Sequence, residues 1–151
     1  DSMAIARGAG TEIIRTIYAD DIDDTDTTLI FGVQHHIYTV LSVTFVAETW
    51  QAAGNTLRLF VVGWDAKGGT SGQSFNIFKQ SMNAGETFIW NDKFSFNGHE
   101  PTGISGAMDS IVKQDAIADQ GSSTPQYLKV DTSNASDSGH ISVTYIDQNN
   151  S

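Results

Sequence analysis

The sequence contains no cysteine, few basic residues and no long apolar run. Without cysteine, the chain cannot form a disulfide scaffold, a thiolate zinc site or a cysteine nucleophile. Its 151 residues suffice to bury the core of one domain without cross-links. No run approaches the roughly 18 residues of a membrane helix, and the first residues lack the zones of a signal peptide. We therefore expect a protein without a membrane span.

Lysine and arginine number 8 against 18 aspartate and glutamate, so the formal net charge is -10. The basic residues are scattered singly, whereas a nucleic-acid binder clusters its cations to displace counterions from phosphate. We expect neither nucleic acid nor anionic lipid as a partner. Strong acidity also keeps a protein soluble at high local concentration, which suits a surface component.

Apolar and polar residues alternate along most of the chain, in runs rich in valine, threonine, tyrosine and phenylalanine. Such period-two runs fit a half-buried pleated sheet. The pattern predicts an all-β fold: an antiparallel β-sandwich or jelly-roll-like barrel of about eight strands. The predicted strands cover residues 13–18, 29–33, 36–47, 57–64, 75–79, 88–96, 127–130 and 141–146.

Three polar segments are predicted as connections. The aspartate-rich run 20–26 is expected to be a solvated loop, because its charges repel one another. The glycine-rich run 65–72 is expected to be a flexible loop, and residues 133–139 form a hairpin between the last two strands.

An insertion at about 100–125 is predicted to carry a short helix or a long loop over residues 104–119. Its apolar residues fall at helical spacing. We expect a single β-sandwich domain at residues 20–151, preceded by an N-terminal arm and first strand at 1–19. The residues at helical spacing are Ile104, Met108, Ile111 and Val112.

Two features invite a metal-binding interpretation, and neither meets its requirements. His35 and His36 are neighbours, so in a strand their side chains point to opposite faces and cannot easily share an ion. The aspartate-rich run fails as an EF-hand: counted from Asp21, Asp26 replaces the sixth-position glycine and Gly32 the twelfth-position glutamate. A looser calcium loop is the alternative to a solvated acidic loop. We expect no metal site and no cofactor.

No catalytic arrangement is found in the sequence. Ser105 lies nearest to a nucleophile elbow, but its flanking glycines have the wrong spacing. Glu86 lies in a predicted turn, where we expect its carboxylate to be solvated rather than to form half of the catalytic carboxylate pair of a glycosidase. We expect no enzyme activity, although loops of a β-sandwich can host hydrolases.

Three tryptophans lie near the ends of predicted strands: Trp50, Trp64 and Trp90. Exposed indole rings can stack on sugars, and Trp50, Trp64 and Asp65 form the candidate ligand site of a carbohydrate- or receptor-binding module. Tryptophan at a strand end more often covers the core or anchors an interface. Such a module, on a phage fibre or a cell surface, is the alternative function.

Short motifs follow one another in a recognisable order. LSVTFV at 41–46 precedes the turn NAGET at 83–87, and ISVTYI at 141–146 forms the last strand. In this pattern, residues 35–147 resemble the small β-sandwich virion proteins of tailed bacteriophages. The insertion at 97–126 departs from that pattern.

The resemblance implies a non-enzymatic structural role: a decoration or cement protein on the head, or a component of neck, tail or fibre. It implies a virion location after assembly in the host cytoplasm. The partners are then the major capsid protein or another virion protein, and copies of the same chain, with a homotrimer favoured. Residues 3–19 would add a strand to a neighbouring subunit by edge pairing, through Ile13, Ile14, Ile17 and Tyr18.

A bacterial surface or pilus subunit is a further alternative. The absence of a recognisable signal peptide argues against it.

Overall fold

The computed structural model describes residues 10–66, 70–100, 109–119 and 124–150. Within them the chain forms eleven strand segments and one helix. In chain order these are β1 (Thr11–Ile22), β2 (Thr27–Phe31), β3 (His36–Thr49), β4 (Thr56–Ala66), β5 (Thr70–Ser81), β6 (Thr87–Trp90), β7 (Phe94–Asn97), β8 (His99–Glu100), α1 (Ile111–Asp119), β9 (Thr124–Pro125), β10 (Tyr127–Thr132) and β11 (Ser138–Asn149).

The strands pair like one long hairpin that has been rolled up. β1 pairs with β11, β2 with β10, β3 with β6 and β7, and β4 with β5, all antiparallel. Rolling places β11 beside β3 and β10 beside β4. One sheet has the order β1-β11-β3-β6, with β7 also on β3, and the other has the order β2-β10-β4-β5. This topology is a jelly roll, so the predicted all-β sandwich is confirmed.

β6 and β7 together form one edge of the first sheet. β6 pairs with residues 43–46 of β3, and β7 pairs with residues 37–40. Residues 91–93 interrupt the edge between them. Counted as one broken strand, they bring the jelly roll to eight strands, while β8 and β9 form a separate two-stranded sheet beside the insertion.

The two sheets enclose a continuous apolar core. β11 alternates half-buried and buried residues along its whole length, because successive side chains of a strand point to opposite faces. Burying one large apolar side chain contributes about 1.5–3 kcal/mol to stability. The fully buried residues include Val40, Val43, Phe45, Leu57, Leu59, Leu128, Val130 and Val143.

Two predicted connections differ from the structure. Residues 133–139 do not form a hairpin, because β10 and β11 lie in different sheets and the segment crosses between them. Turn-forming residues mark a chain reversal but do not select the partner strand. Residues 20–26 are not a loop throughout: β1 continues to Ile22, which is fully buried. A register shift between Ala19 and Ile22 accommodates the aspartates.

The glycine-rich run 65–72 is also a shorter connection than predicted. β4 extends to Ala66 and β5 begins at Thr70, and these two residues are paired. Residues 67–69 lie outside the described part of the chain. Pairing between two long neighbouring strands outweighs the low intrinsic strand propensity of this run.

α1 confirms a helix within the predicted insertion. Ile104 and Met108 lie outside the described residues. Ile111 and Val112 are 75% and 77% exposed, so helical spacing predicted the element but not a buried face at these two positions. No helix of the described ranges has the length and apolar character to cross a bilayer.

Candidate functional site

β1 is an edge strand of the first sheet and carries the predicted interface residues. Among the residues that the structure describes, it has a sheet neighbour on one side only, with a register that runs from Thr11 opposite Asn149 to Ile22 opposite Gly139. The backbone N–H and C=O groups on the free side of an edge strand are available to a further strand. β1 is 12 residues long, about twice the usual strand length, so this edge is extensive.

The four predicted interface residues divide between the two faces of β1. Ile14 and Tyr18 are 70% and 65% exposed, and they lie on the outer face. Ile17 packs partly against the core, and Ile13 is 36% exposed. Ile14 and Tyr18 are therefore open to a partner, whereas Ile17 helps to hold β1 on the sandwich.

Residues 11–19 belong to the sandwich rather than to a free arm. They pair with β11 of the same chain, and the hydroxyls of Thr16 and Thr144 lie 3.2 Å apart on the outer face. Residues 3–9 of the expected arm lie outside the described part. An edge contact would therefore use the free side of β1 while the strand stays in its own sheet.

The outer face next to β1 has an uncharged row across its middle. Tyr18, Ser142, Thr44 and Ile89 are aligned across β1, β11, β3 and β6. Directly opposite residues of antiparallel strands share a face. The hydroxyl side chains of Ser142 and Thr44 thus lie between two apolar residues. Tyr18 is exposed at one edge of the sheet, and Ile89 is 57% exposed at the other edge.

Three ionisable side chains meet at one end of this face. Asp20, Glu48 and His140 come from β1, β3 and β11, and one potential ligand atom of each lies within 4.8 Å of the others. Nδ1 of His140 is 2.5 Å from Oε1 of Glu48. Glu48 and His140 are 92 residues apart in the chain, so no sequence motif could reveal the cluster.

Tyr18 borders this cluster. The centres of its ring and of the His140 imidazole lie 5.9 Å apart. Desolvation, and then the negative charges of Asp20, Glu48 and Asp21, raise the pKa of the Tyr18 hydroxyl. Three carboxylates thus lie close enough to Tyr18 to affect its hydroxyl.

The other end of β3 and β11 carries a histidine–aspartate pair. Nδ1 of His36 is 2.6 Å from Oδ1 of Asp147, whose side chain is only 6% exposed. Arg15 approaches the second carboxylate oxygen at 4.0 Å. His35 is exposed and adopts a positive φ of 68°. The adjacent histidines thus occupy different environments, and His36 is engaged by a carboxylate.

The outer face of the second sheet carries a polar depression. Arg58 and Lys79 line it together with Asp131 and neighbouring hydroxyl and amide side chains. The hydrogen bond to Asp131 raises the pKa of Arg58. Desolvation, and then the hydrogen bond and charge of Asp131, raise the pKa of Asp26. Arg58 is therefore occupied by an internal partner.

The tryptophans of the alternative ligand site are not all open. Trp50 is 8% exposed, its indole Nε1 donates to the carbonyl of Asn55 at 3.1 Å, and its ring packs edge-on against Phe45. It covers the core and has no free face for a sugar. The side chains of Trp64 and Asp65 lie outside the described part of the structure.

No protein-family model and no curated protein matches the sequence. Among solved structures, the chain is similar to one from Bacillus endospore appendages, described as disulfide-linked pili, with 11% identity over 100% of this chain and 99% of that chain and a TM-score of 0.41. It is also similar to a chain of the T13 particle of infectious bursal disease virus, with 12% identity over 97% of this chain and 36% of that chain and a TM-score of 0.44. A VP2 subviral particle of the same virus gives 11% identity over 94% and 38% of the two chains, with a TM-score of 0.41.

Proposed function

We propose that the protein is a non-enzymatic structural component of a tailed-phage virion, a decoration or cement protein or a part attached to head or tail, that acts through protein–protein contacts. The observation that carries the proposal is the exposed edge strand β1, with Ile14 and Tyr18 open on its outer face. Large apolar side chains next to an unpaired strand edge are typical of a surface that a partner covers.

Two modes of contact are compatible with this edge. A strand of a partner can add to the free side of β1, where main-chain hydrogen bonds supply affinity and alternate side chains supply specificity. The outer faces of Ile14 and Tyr18 can at the same time be covered by the partner. Burial of apolar surface contributes about 25 cal/mol per Å², so both side chains would be important contacts.

A homotrimer requires two different complementary patches on each subunit, because a cyclic three-fold contact is heterologous. β1 supplies one patch. Phe31 and Val33, 66% and 50% exposed, supply apolar surface elsewhere on the chain. The major capsid protein or another virion protein is the expected larger partner, and the net charge of -10 disfavours contact with the packaged nucleic acid.

Size-exclusion chromatography with light scattering tests the self-association. We expect a trimer of the 16.3 kDa chain, and we expect Ile14→Glu to convert it to monomer because a buried unpaired carboxylate is costly. Ile89→Glu is the matched control, since it places the same charge on the same sheet face at the opposite edge. If the two variants have the same oligomeric state, β1 is not part of the interface. A monomeric wild type would contradict the trimer.

Immuno-electron microscopy tests the location. Antibodies raised against the purified protein should label assembled particles in a lysate that contains the source virus. Labelling of heads, tails or fibres assigns the position. Labelling that stays in the soluble fraction, or a glycan array with reproducible hits, would contradict a virion structural role and favour the carbohydrate-binding alternative.

A further inference from the structure

The cluster of Asp20, Glu48 and His140 is formed by three adjacent strands. His140 and Val46 are directly opposite each other on β11 and β3, and Ala19 is opposite Ile141 on β1 and β11. Ile141 is buried and faces the core. Because side chains alternate between the faces, the three ionisable residues project together from the outer face.

We propose that Asp20, Glu48 and His140 bind a divalent transition-metal ion of the zinc type. Two carboxylates and one imidazole are a mixed oxygen and nitrogen donor set, which suits Zn²⁺, Ni²⁺ or Co²⁺. Ca²⁺ takes six to eight oxygen ligands and Mg²⁺ keeps most of its water, so an imidazole among three side chains disfavours both. The imidazole distinguishes this cluster from an ordinary acidic surface.

The spacing of the ligand atoms fits such an ion. At metal–ligand distances of about 2.1 Å, tetrahedral ligand atoms are about 3.4 Å apart. The candidate atoms lie within 4.8 Å of one another, and Nδ1 of His140 and Oε1 of Glu48 are closer, at 2.5 Å. The side chains of Glu48 and His140 are 51% and 34% exposed, so they can rotate by the small amount required.

The charge balance also favours a cation. Within the described ranges, the Lys and Arg ion pairs go to Asp147, Asp131 and Asp109 and not to Asp20 or Glu48. The Asp20 carboxylate accepts a hydrogen bond from the backbone N–H of Asp21 at 2.8 Å, and the Glu48 carboxylate contacts the imidazole of His140. A divalent ion would take the place of the hydrogen bond between His140 and Glu48 and compensate the negative charges of the two carboxylates.

A bound ion would join the edge strand β1 to β3 across β11. The proposal does not depend on virion assembly, because the ligands come from one chain. Saturation at about 100 times the Kd should raise the Tm by roughly 5–10 °C for a domain of this size. Three protein ligands also leave coordination positions for water.

The test uses the full chain after dialysis against a chelator. Isothermal titration with ZnCl₂ should show one site per chain, and Zn²⁺ should raise the Tm whereas equal Ca²⁺ or Mg²⁺ should not. His140→Ala, Asp20→Asn and Glu48→Gln should each weaken binding at least 10-fold. Asp24→Asn is the matched control, because it removes one negative charge from the same aspartate-rich run without removing a ligand, and it should bind like the wild type.

A second readout avoids any question of whether a variant folds. In the wild type, Zn²⁺ should shift the imidazole NMR resonances of His140 and leave those of His36 unchanged. Absence of a one-to-one site, an Asp24→Asn variant that weakens binding as much as His140→Ala, or an equal response to Ca²⁺ would each overturn the proposal in favour of a diffuse acidic surface.

Discussion

Arg58 and Asp131 form a two-point ion pair on the outer face of the second sheet. Nε of Arg58 lies 3.0 Å from Oδ1 of Asp131, and Nη2 lies 2.7 Å from Oδ2. The guanidinium also lies 3.9 Å from the centre of the Phe60 ring. Phe60 is only 2% exposed, although it alternates with the core residues Leu59 and Val61 and so lies on the other face of β4. The arginine therefore both pairs an aspartate and covers an aromatic ring.

We expect Arg58→Ala to lower the free energy of unfolding by about 2–3 kcal/mol, because it leaves the mostly buried carboxylate of Asp131 without its cationic partner. Arg15→Ala is the control: Arg15 is 56% exposed and 4.0 Å from its aspartate, so its loss should cost less than about 0.5 kcal/mol. Urea denaturation at neutral pH measures both. Similar costs for the two variants would contradict the role assigned to Arg58.

Asp26 should make stability depend on pH. Desolvation and the neighbouring Asp131 raise its pKa above the ordinary value of 3.8, although the side chain is exposed, so the folded chain holds this proton more tightly than the unfolded chain. The stabilisation that this bound proton provides is fully present below pH 3.8. It is lost as the pH rises through the pKa that Asp26 has in the folded state. Asp26→Asn should therefore stabilise the protein at pH 7, by up to about 0.5 kcal/mol.

Denaturation curves at pH 3 and pH 7 check this dependence. The stabilisation by Asp26→Asn should be confined to the higher pH. Asp24→Asn is the control for net charge, because Asp24 is exposed like Asp26 and belongs to the same run. An equal gain from both variants would assign the effect to overall charge rather than to the Asp26–Asp131 pair.

Gly139 lies where no side chain fits. A Cβ at this position would overlap the carbonyl oxygen of Val46 and the ring of Phe45. Gly139→Ala should therefore destabilise the fold by about 1–3 kcal/mol or more, measured by thermal unfolding. Gly85→Asn is the control, since Gly85 has open space around it and a φ of 81° that asparagine tolerates. A Gly139→Ala variant as stable as this control would contradict the close approach.

Trp50 and Trp90 differ in one hydrogen bond. Nε1 of Trp50 donates to the carbonyl of Asn55, whereas the buried Nε1 of Trp90 has no partner among the described residues. Trp50→Phe should cost about 1 kcal/mol more than Trp90→Phe, because only the former loses a hydrogen bond. Equal unfolding free energies for the two variants would argue against the Trp50 bond.

Local pattern was sufficient for most strands. The alternation along residues 36–47 predicted β3 almost to its ends, because β-branched and aromatic residues on one face must be buried. Helical spacing in the insertion left a short helix and a long loop open, and the structure has the helix α1. Local pattern failed where a charged run continued a strand, at Ile22, because pairing with β11 outweighed the repulsion of the flanking aspartates.

The sequence by itself determined an acidic, cysteine-free all-β sandwich of about eight strands and an apolar first strand, since composition and period-two alternation are properties of neighbouring residues. Only the tertiary structure decided which strands are partners, and therefore which side chains meet. In the structure, residues 133–139 cross between the sheets instead of forming a hairpin. Ile14 and Tyr18 are exposed while Ile17 packs inward. Asp20, Glu48 and His140 come together from three strands. Partner choice depends on the energy of closing and packing the whole sandwich, which no local stretch of the chain contains.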